Sequence, residues 1–170
     1  MTGEGTDSAA LLRRCFAGLA AVGVAATAVE LALIRHWTST EQLIPWAALG
    51  ALVLGLALLV ARPSRGRLRA IRALTLAVVL TAAFGIFEHV HANYEAAPLD
   101  FRYTNRWATM STSSKWWAAA SQSVGPSPTL APGVLAQSAL CLLFATLGHP
   151  ALATPTVELD PAGEGEPARR

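Results

Sequence analysis

The sequence predicts an all-α, polytopic membrane protein with four transmembrane helices and both termini in the cytoplasm. Three observations carry this expectation. Of 170 residues, 53% are hydrophobic and only 14% charged, and the mean hydropathy is +0.41, too apolar for a soluble domain of ordinary composition. The apolar residues are gathered into runs long enough to cross a bilayer as helix, which takes about 20 residues each. Arg62, Arg65, Arg67, Arg69 and Arg72 crowd the loop between the second and third runs. By the positive-inside rule such a loop is cytoplasmic, and its arginines meet lipid headgroups there.

The elements follow in chain order. Residues 1–10 are polar and Gly-rich and are expected to be disordered. The first span covers residues 11–35. Its opening, Arg13-Arg14-Cys15-Phe16, imitates a twin-arginine export signal, with Ala26-Thr27-Ala28 as a possible cleavage site. The apolar run nevertheless continues through Leu31 to Ile34, longer than a signal core, so it reads as a retained helix. The second span, 43–61, opens on Pro45 and Trp46; a proline in a first turn costs little because that N–H has no helical partner. Ala47, Ala51 and Gly55 form a narrow small-residue strip along it, suited to close helix contact.

The third span, 68–94, emerges on the far side into an external loop, 96–130. Within that loop, residues 105–122 read as a short interfacial helix with Trp107, Trp116 and Trp117 at headgroup level. Pro126, Pro128 and Pro132 precede a fourth span, 132–152. The Pro-, Gly- and Glu-rich tail 153–170 lacks the apolar content to fold and is expected to be disordered in the cytoplasm. Cys15 and Cys141 lie inside apolar runs, where a cysteine behaves as a small hydrophobe. Neither belongs to a CxxC pair, so a thiol relay has no basis. The net charge of +2 is too small, and too confined to one loop, for a nucleic-acid-binding face. The partners implied are the bilayer and a membrane protein docked through the small-residue strips and the Trp-rich loop.

The chemistry-bearing residues collect near the external ends of the spans. Glu30 lies about 7–8 Å below Arg35 at 1.5 Å per residue. Gln42 opens the second span, Glu88, His89, His91, Asn93 and Glu95 close the third, and Gln137 lies just inside the fourth. At about 100° per residue, Thr81, Phe84, Glu88, His91 and Glu95 fall on one stripe, with His89 and Asn93 beside it. Gly23, Thr27 and Glu30 share a face of the first helix, as do Gly133, Gln137, Cys141 and Ala145 on the fourth. The simplest arrangement turns these faces inward, into one polar layer.

Such a layer admits several chemistries. Glu88-x-x-His91 sets a carboxylate and an imidazole one turn apart, and His89, Glu95 and His36 could complete a shell for zinc or copper, or for manganese or iron. A di-iron site would need a second such motif, and none is present. Glu30 and Glu88 could carry protons or cations, with histidine titrating near neutrality, but no acidic or basic groups continue the path through the inner half. Paired haem ligation would need buried facing histidines, whereas His36, His89 and His91 are superficial. The structural alternative is that Glu30 pairs with His89 or Gln137 to fix helix register. His149, on the opposite side, suits the C-cap of the last helix. No nucleophile–base pair or cofactor motif marks an enzyme.

The chain resembles a family of short bacterial four-helix membrane proteins of unknown function. The likeness runs through Glu30, His36, Gln42-Leu43-Ile44-Pro45, Glu88-His89, Asn93-Tyr94-Glu95, Ala131-Pro132-Gly133, Gln137 and His149-Pro150. It implies a bacterial inner membrane, with the external side facing the periplasm, and brings no activity, substrate or cofactor.

Overall fold

The computed structural model describes residues 3–61 and 63–152, with side chains from Asp7 onward. Arg62 and the tail 153–170 lie outside the described residues. Every regular element among the described residues is helical. The helices are α1 (Gly3–Leu33), α2 (Thr40–Val60), α3 (Arg65–Ala96), α4 (Thr112–Ala120) and α5 (Gly133–Phe144), with 3₁₀ turns at Ala97–Leu99, Trp107–Thr109 and Pro150–Leu152. By length and composition three segments can cross a membrane: Asp7–Leu33, Thr40–Val60 and Arg65–Leu99.

Several boundaries differ from those the sequence predicts. α1 begins at Gly3, so most of the stretch expected to be disordered is helix. α2 starts at Thr40, ahead of Gln42, which places Pro45 inside the helix and removes the bond its N–H would have made to the Glu41 carbonyl. The fourth span, 132–152, differs most in its regular helix. α5 has only 12 residues, about 18 Å of helix, well short of the roughly 30 Å hydrocarbon thickness. Residues 145–152 continue it as turns and a 3₁₀ segment.

The helices form a ring. α5 sits between α1 and α3, α2 packs along α3, and α1 meets α2 only slightly. The core is built from Leu52, Leu68, Ile71 and Leu142, each with no exposed surface, flanked by Ala20, Val24, Val78 and Leu135. Close approach is set by two glycines. A Cβ on Gly23 of α1 would fall on the Oγ of Ser138 in α5, and one on Gly55 of α2 would meet Leu142 at 2.8 Å. Gly55 is thus the contact point of the expected α2 strip, whereas Ala47 is exposed.

The ends of α5 explain how so short a helix is held. Helix C-termini leave carbonyls without intrahelical partners, and in lipid such groups must be satisfied by protein. Arg72 of α3 reaches the buried Thr146, donating from Nε to its Oγ1 at 3.0 Å and from Nη2 to its carbonyl at 3.2 Å. Arg13 of α1 donates to the Gly148 carbonyl at 3.4 Å, and Arg65 to that of Ala151 at 3.3 Å. His149 does not take this role: its Nδ1 accepts the Ala151 N–H at 3.2 Å. Two arginines of the loop cluster, Arg65 and Arg72, therefore bind the chain at the end of α5, and Arg67 and Arg69 are exposed.

At the opposite end α1 stops at a reverse turn. Arg35 adopts φ 52°, with its N–H on Ala32 O and the His36 N–H on Leu31 O. Gln42 Oε1 then accepts from the N–H and hydroxyl of Thr38, at 2.8 and 2.9 Å, and Trp46 Nε1 donates to His36 O at 2.7 Å. Gln42 clips this hairpin and contributes nothing to an internal layer.

Replacing Gly23 by Val is expected to lower the thermal unfolding midpoint in detergent, with a loss of about 1–3 kcal/mol from overpacking against Ser138. Gly50→Ala, where nothing lies within 4 Å, is expected to leave the midpoint unchanged or raise it slightly.

Candidate functional site

α3 has 32 residues, about 48 Å of helix, so it outruns a bilayer and projects beyond it. The projecting part carries the loop 96–130 as a folded cap. The inward stripe of α3 runs Leu68, Ile71, Thr75, Val78, Ala82 and then Asn93. Phe84, Glu88 and Glu95 are exposed. The stripe expected to face inward is therefore displaced by about one residue, and His89 and Asn93 lie on the packed side.

Asn93 is the anchor of the cap. It has no exposed surface. Its Oδ1 accepts the Ser127 N–H at 2.8 Å, and its Nδ2 donates to Ser127 O at 2.8 Å and to Ala119 O at 3.3 Å. One amide thus imitates a backbone rung and joins positions 34 apart in the chain. Gly125, at φ 75°, lies so close that a Cβ there would stand 2.6 Å from the Asn93 Cα. His89 adds a second tie, its Nδ1 lying 2.8 Å from Pro128 O. Because a carbonyl only accepts, Nδ1 must carry the proton, which fixes the neutral tautomer.

Around this anchor sits a second core of Ala97, Trp107, Ala118, Ala119 and Val124. Trp116 stacks on Tyr94 at 4.7 Å and lies over His91 and Phe87 at 6.4 and 6.3 Å. Trp107 meets Tyr94 edge-on at 5.3 Å. The helical part of the expected segment 105–122 shortens to α4, and Trp107 is buried instead of lying among headgroups. Trp117 is the one of the three that stands outward, 74% exposed. Asp100 is paired with Arg102 at 2.7 Å. The Arg102 side chain and amide, with the Gly125 amide, hold its carboxyl down at about 2.

The remaining predicted site residues do not converge. Glu30, Glu88 and Gln137 are all exposed, and none makes a side-chain hydrogen bond or ion pair with the described residues. On α5 the buried face is Leu135, Ser138, Ala139 and Leu142, which leaves Gln137 outside. Glu30 has a different reason. It lies about 10.5 Å above Gly23, whereas α5 reaches only about 7.5 Å above Ser138, the residue Gly23 touches. The short helix ends before it can cover Glu30. On the same side as Gly23, Thr27 is buried and its hydroxyl has no hydrogen-bond partner among the described residues.

The proposed metal shell is likewise dispersed. His91 Nε2 lies 3.6 Å from Glu95 Oε1, and its ring clusters with those of Phe87 and Trp116. His89 is engaged with Pro128, and Glu88 faces away. His36 lies near His89, and burial followed by that neighbour lowers its imidazole below the ordinary range. Among the described residues no group of three or more His, Cys, Asp or Glu is arranged to hold a metal ion. No family model, curated protein or solved structure matches the chain.

Sequence reasoning placed Asn93 in a polar layer without seeing it as the clamp of the cap. The available signal was its four-residue spacing from His89, in phase with Thr75 and Ala82. The aromatic stack was missed because Trp116 and Trp117 read equally well as interfacial anchors.

Asn93→Ala is expected to cost about 2–4 kcal/mol, since it strands the half-buried N–H and carbonyl of Ser127. Limited proteolysis within 97–131 and loss of near-ultraviolet tryptophan dichroism would register it, while helix content stays constant. Asp100 gives a pH expectation. Its folded value of about 2 lies below the ordinary 3.8, so its stabilisation is complete above the higher figure and is lost as pH falls through the lower. The cap dichroism of the native chain should change between these pH values more than that of Asp100→Asn.

Proposed function

We propose that this chain is a non-catalytic accessory or assembly subunit of a larger complex in a bacterial inner membrane. It would cross the bilayer four times with both termini cytoplasmic and the aromatic cap in the periplasm. The observation that carries this reading is the outward display of Glu30, Glu88 and Gln137 from a bundle whose interior is filled by apolar side chains. Groups turned outward recognise; a catalytic or transport role would need them gathered around a cavity or path. The two recesses described, about 520 Å³ in the cap and about 620 Å³ along α1, are open grooves on the surface.

Topology has its own support. Arg13, Arg65 and Arg72 all meet the chain between Thr146 and Ala151, so the basic residues of α1 and α3 gather at one end with the exit of α5. From Arg72 to Asn93 is about 31 Å of helix, roughly the thickness of the hydrocarbon. The arginines then sit at one boundary and the cap lies beyond the other. Zinc or copper binding at Glu88, His89, His91, Glu95 and His36 finds no support in this dispersed arrangement.

The test is purification of the tagged chain from its native membrane in mild detergent. A second integral membrane protein held at fixed stoichiometry through two chromatographic steps is expected. A monodisperse chain without such a partner, carrying one equivalent of metal that His91→Ala removes, would replace this reading with the metal-binding one.

A further inference from the structure

A flank of α1, reaching from beside its contact with α5 round to the far side, is uncovered among the described residues. Ala20, Gly23, Val24 and Thr27 are packed or partly packed, while Val22, Ala25, Ala26, Val29 and Leu33 are exposed. Along this exposed side runs a groove of about 620 Å³, with Ala25 and Ala26 between the bulkier Val22 and Val29 and with Glu30 toward its cap end. α1 meets α2 only slightly, and among the described residues the recess is lined by α1 and the turn after it alone.

Glu30 sets the chemistry of whatever lies there. It stands about 25 Å along the helix from Arg13, inside a hydrocarbon layer about 30 Å thick. A carboxylate at that height facing acyl chains is unfavourable, and such residues face protein or water instead. No cation or donor of this chain reaches it among the described residues. A lipid tail would fill the apolar part and leave the carboxylate unmatched. A second copy docked about a two-fold axis would bring Glu30 against Glu30, since an isologous interface presents the same patch twice. Within lipid the occupant must satisfy its own backbone, which restricts it to a helix, and small residues are what let a helix approach closely.

We propose that this groove seats one transmembrane helix of a different protein, bearing an arginine or lysine at the height of Glu30. The proposal rests on the assembly reading above and names the chemistry of its partner.

A direct test uses the full chain in lipid vesicles with synthetic transmembrane peptides of about 23 residues. The peptides are Leu/Ala helices free of tryptophan, with a dansyl group at the cap end and Arg, Leu or Glu at the height of Glu30. All five tryptophans, Trp37, Trp46, Trp107, Trp116 and Trp117, lie near the cap end, so tryptophan-to-dansyl energy transfer reports docking. The Arg peptide is expected to bind about tenfold or more tightly than the Leu peptide. Glu30→Gln should abolish that preference, Ala26→Phe should block both peptides, and Glu88→Gln should change neither. Both Glu30 and Ala26 are exposed, so the variants should keep the native unfolding midpoint.

Equal binding of the Arg and Leu peptides would overturn the proposal. So would self-association of the chain, without peptide, that Ala26→Phe abolishes. The assembly reading fails separately: if a native partner co-purifies undiminished with Glu30→Gln and Ala26→Phe, that reading stands and the groove assignment falls.

Discussion

A helix too short for its neighbours is the constraint on which this structure turns. α5 offers about 18 Å of helix to a bundle whose other members exceed 30 Å. In lipid, a helix end leaves backbone groups that water cannot reach, so each end of α5 must be served by protein. At one end three arginines do so: Arg72 on Thr146, Arg13 on Gly148 and Arg65 on Ala151. At the other, Gly133 and Val134 donate to the carbonyls of Leu130 and Ala131, and the proline-rich lead-in is tied to α3, Pro128 through His89 and Ser127 through Asn93. Between the ends, Gly23 and Gly55 let α5 sit closer than any side chain would allow.

The cap follows from the same constraint. A connection from the top of α3 back down to a deeply placed α5 must cross over the bundle, and an unsupported loop would be mobile and wet. Asn93 closes that connection with one side chain, and the stack of Tyr94, Trp116 and Trp107 supplies the burial that holds it. The cap is thereby a small folded unit with its own core, attached to a helix that outruns the membrane. A rigid display surface is the physical result, and it agrees with a role in recognition.

The sequence revealed the class, the long apolar segments and the position of the arginines, because length and charge are one-dimensional properties. It misjudged the phase. In water, the apolar side of a helix marks its inside; in a bilayer both sides are apolar, and Phe84 or Phe87 on the lipid side looks like core. The better guides were small or weakly polar residues at helical spacing, Thr75 and Ala82 on α3 and Ser138 and Ala139 on α5. The length of α5 was illegible for another reason: residues 145–152 remain apolar enough to extend the span while their backbone turns. The chain turns away from the helix through Gly148, at φ 58°, ahead of Pro150, and the turned backbone is held by the bond of Arg72 to Thr146, 74 residues away, which no local pattern contains.

The two polar residues nearest the cap end, Asn93 and Glu30, show how far side-chain chemistry depends on what stands opposite. Asn93 meets a returning backbone that offers both a donor and an acceptor, and an amide matches both at once. Glu30 is at a comparable height, yet the turn of α5 that would have faced it does not exist. Had α5 run one turn further, Glu30 would have needed an internal donor or become a defect of the core. Its absence moves the unmet hydrogen-bonding demand to the surface, where a cationic side chain from another helix can answer it. The shortness that forces the chain to brace itself with arginines and Asn93 is therefore also what leaves it with a carboxylate to offer.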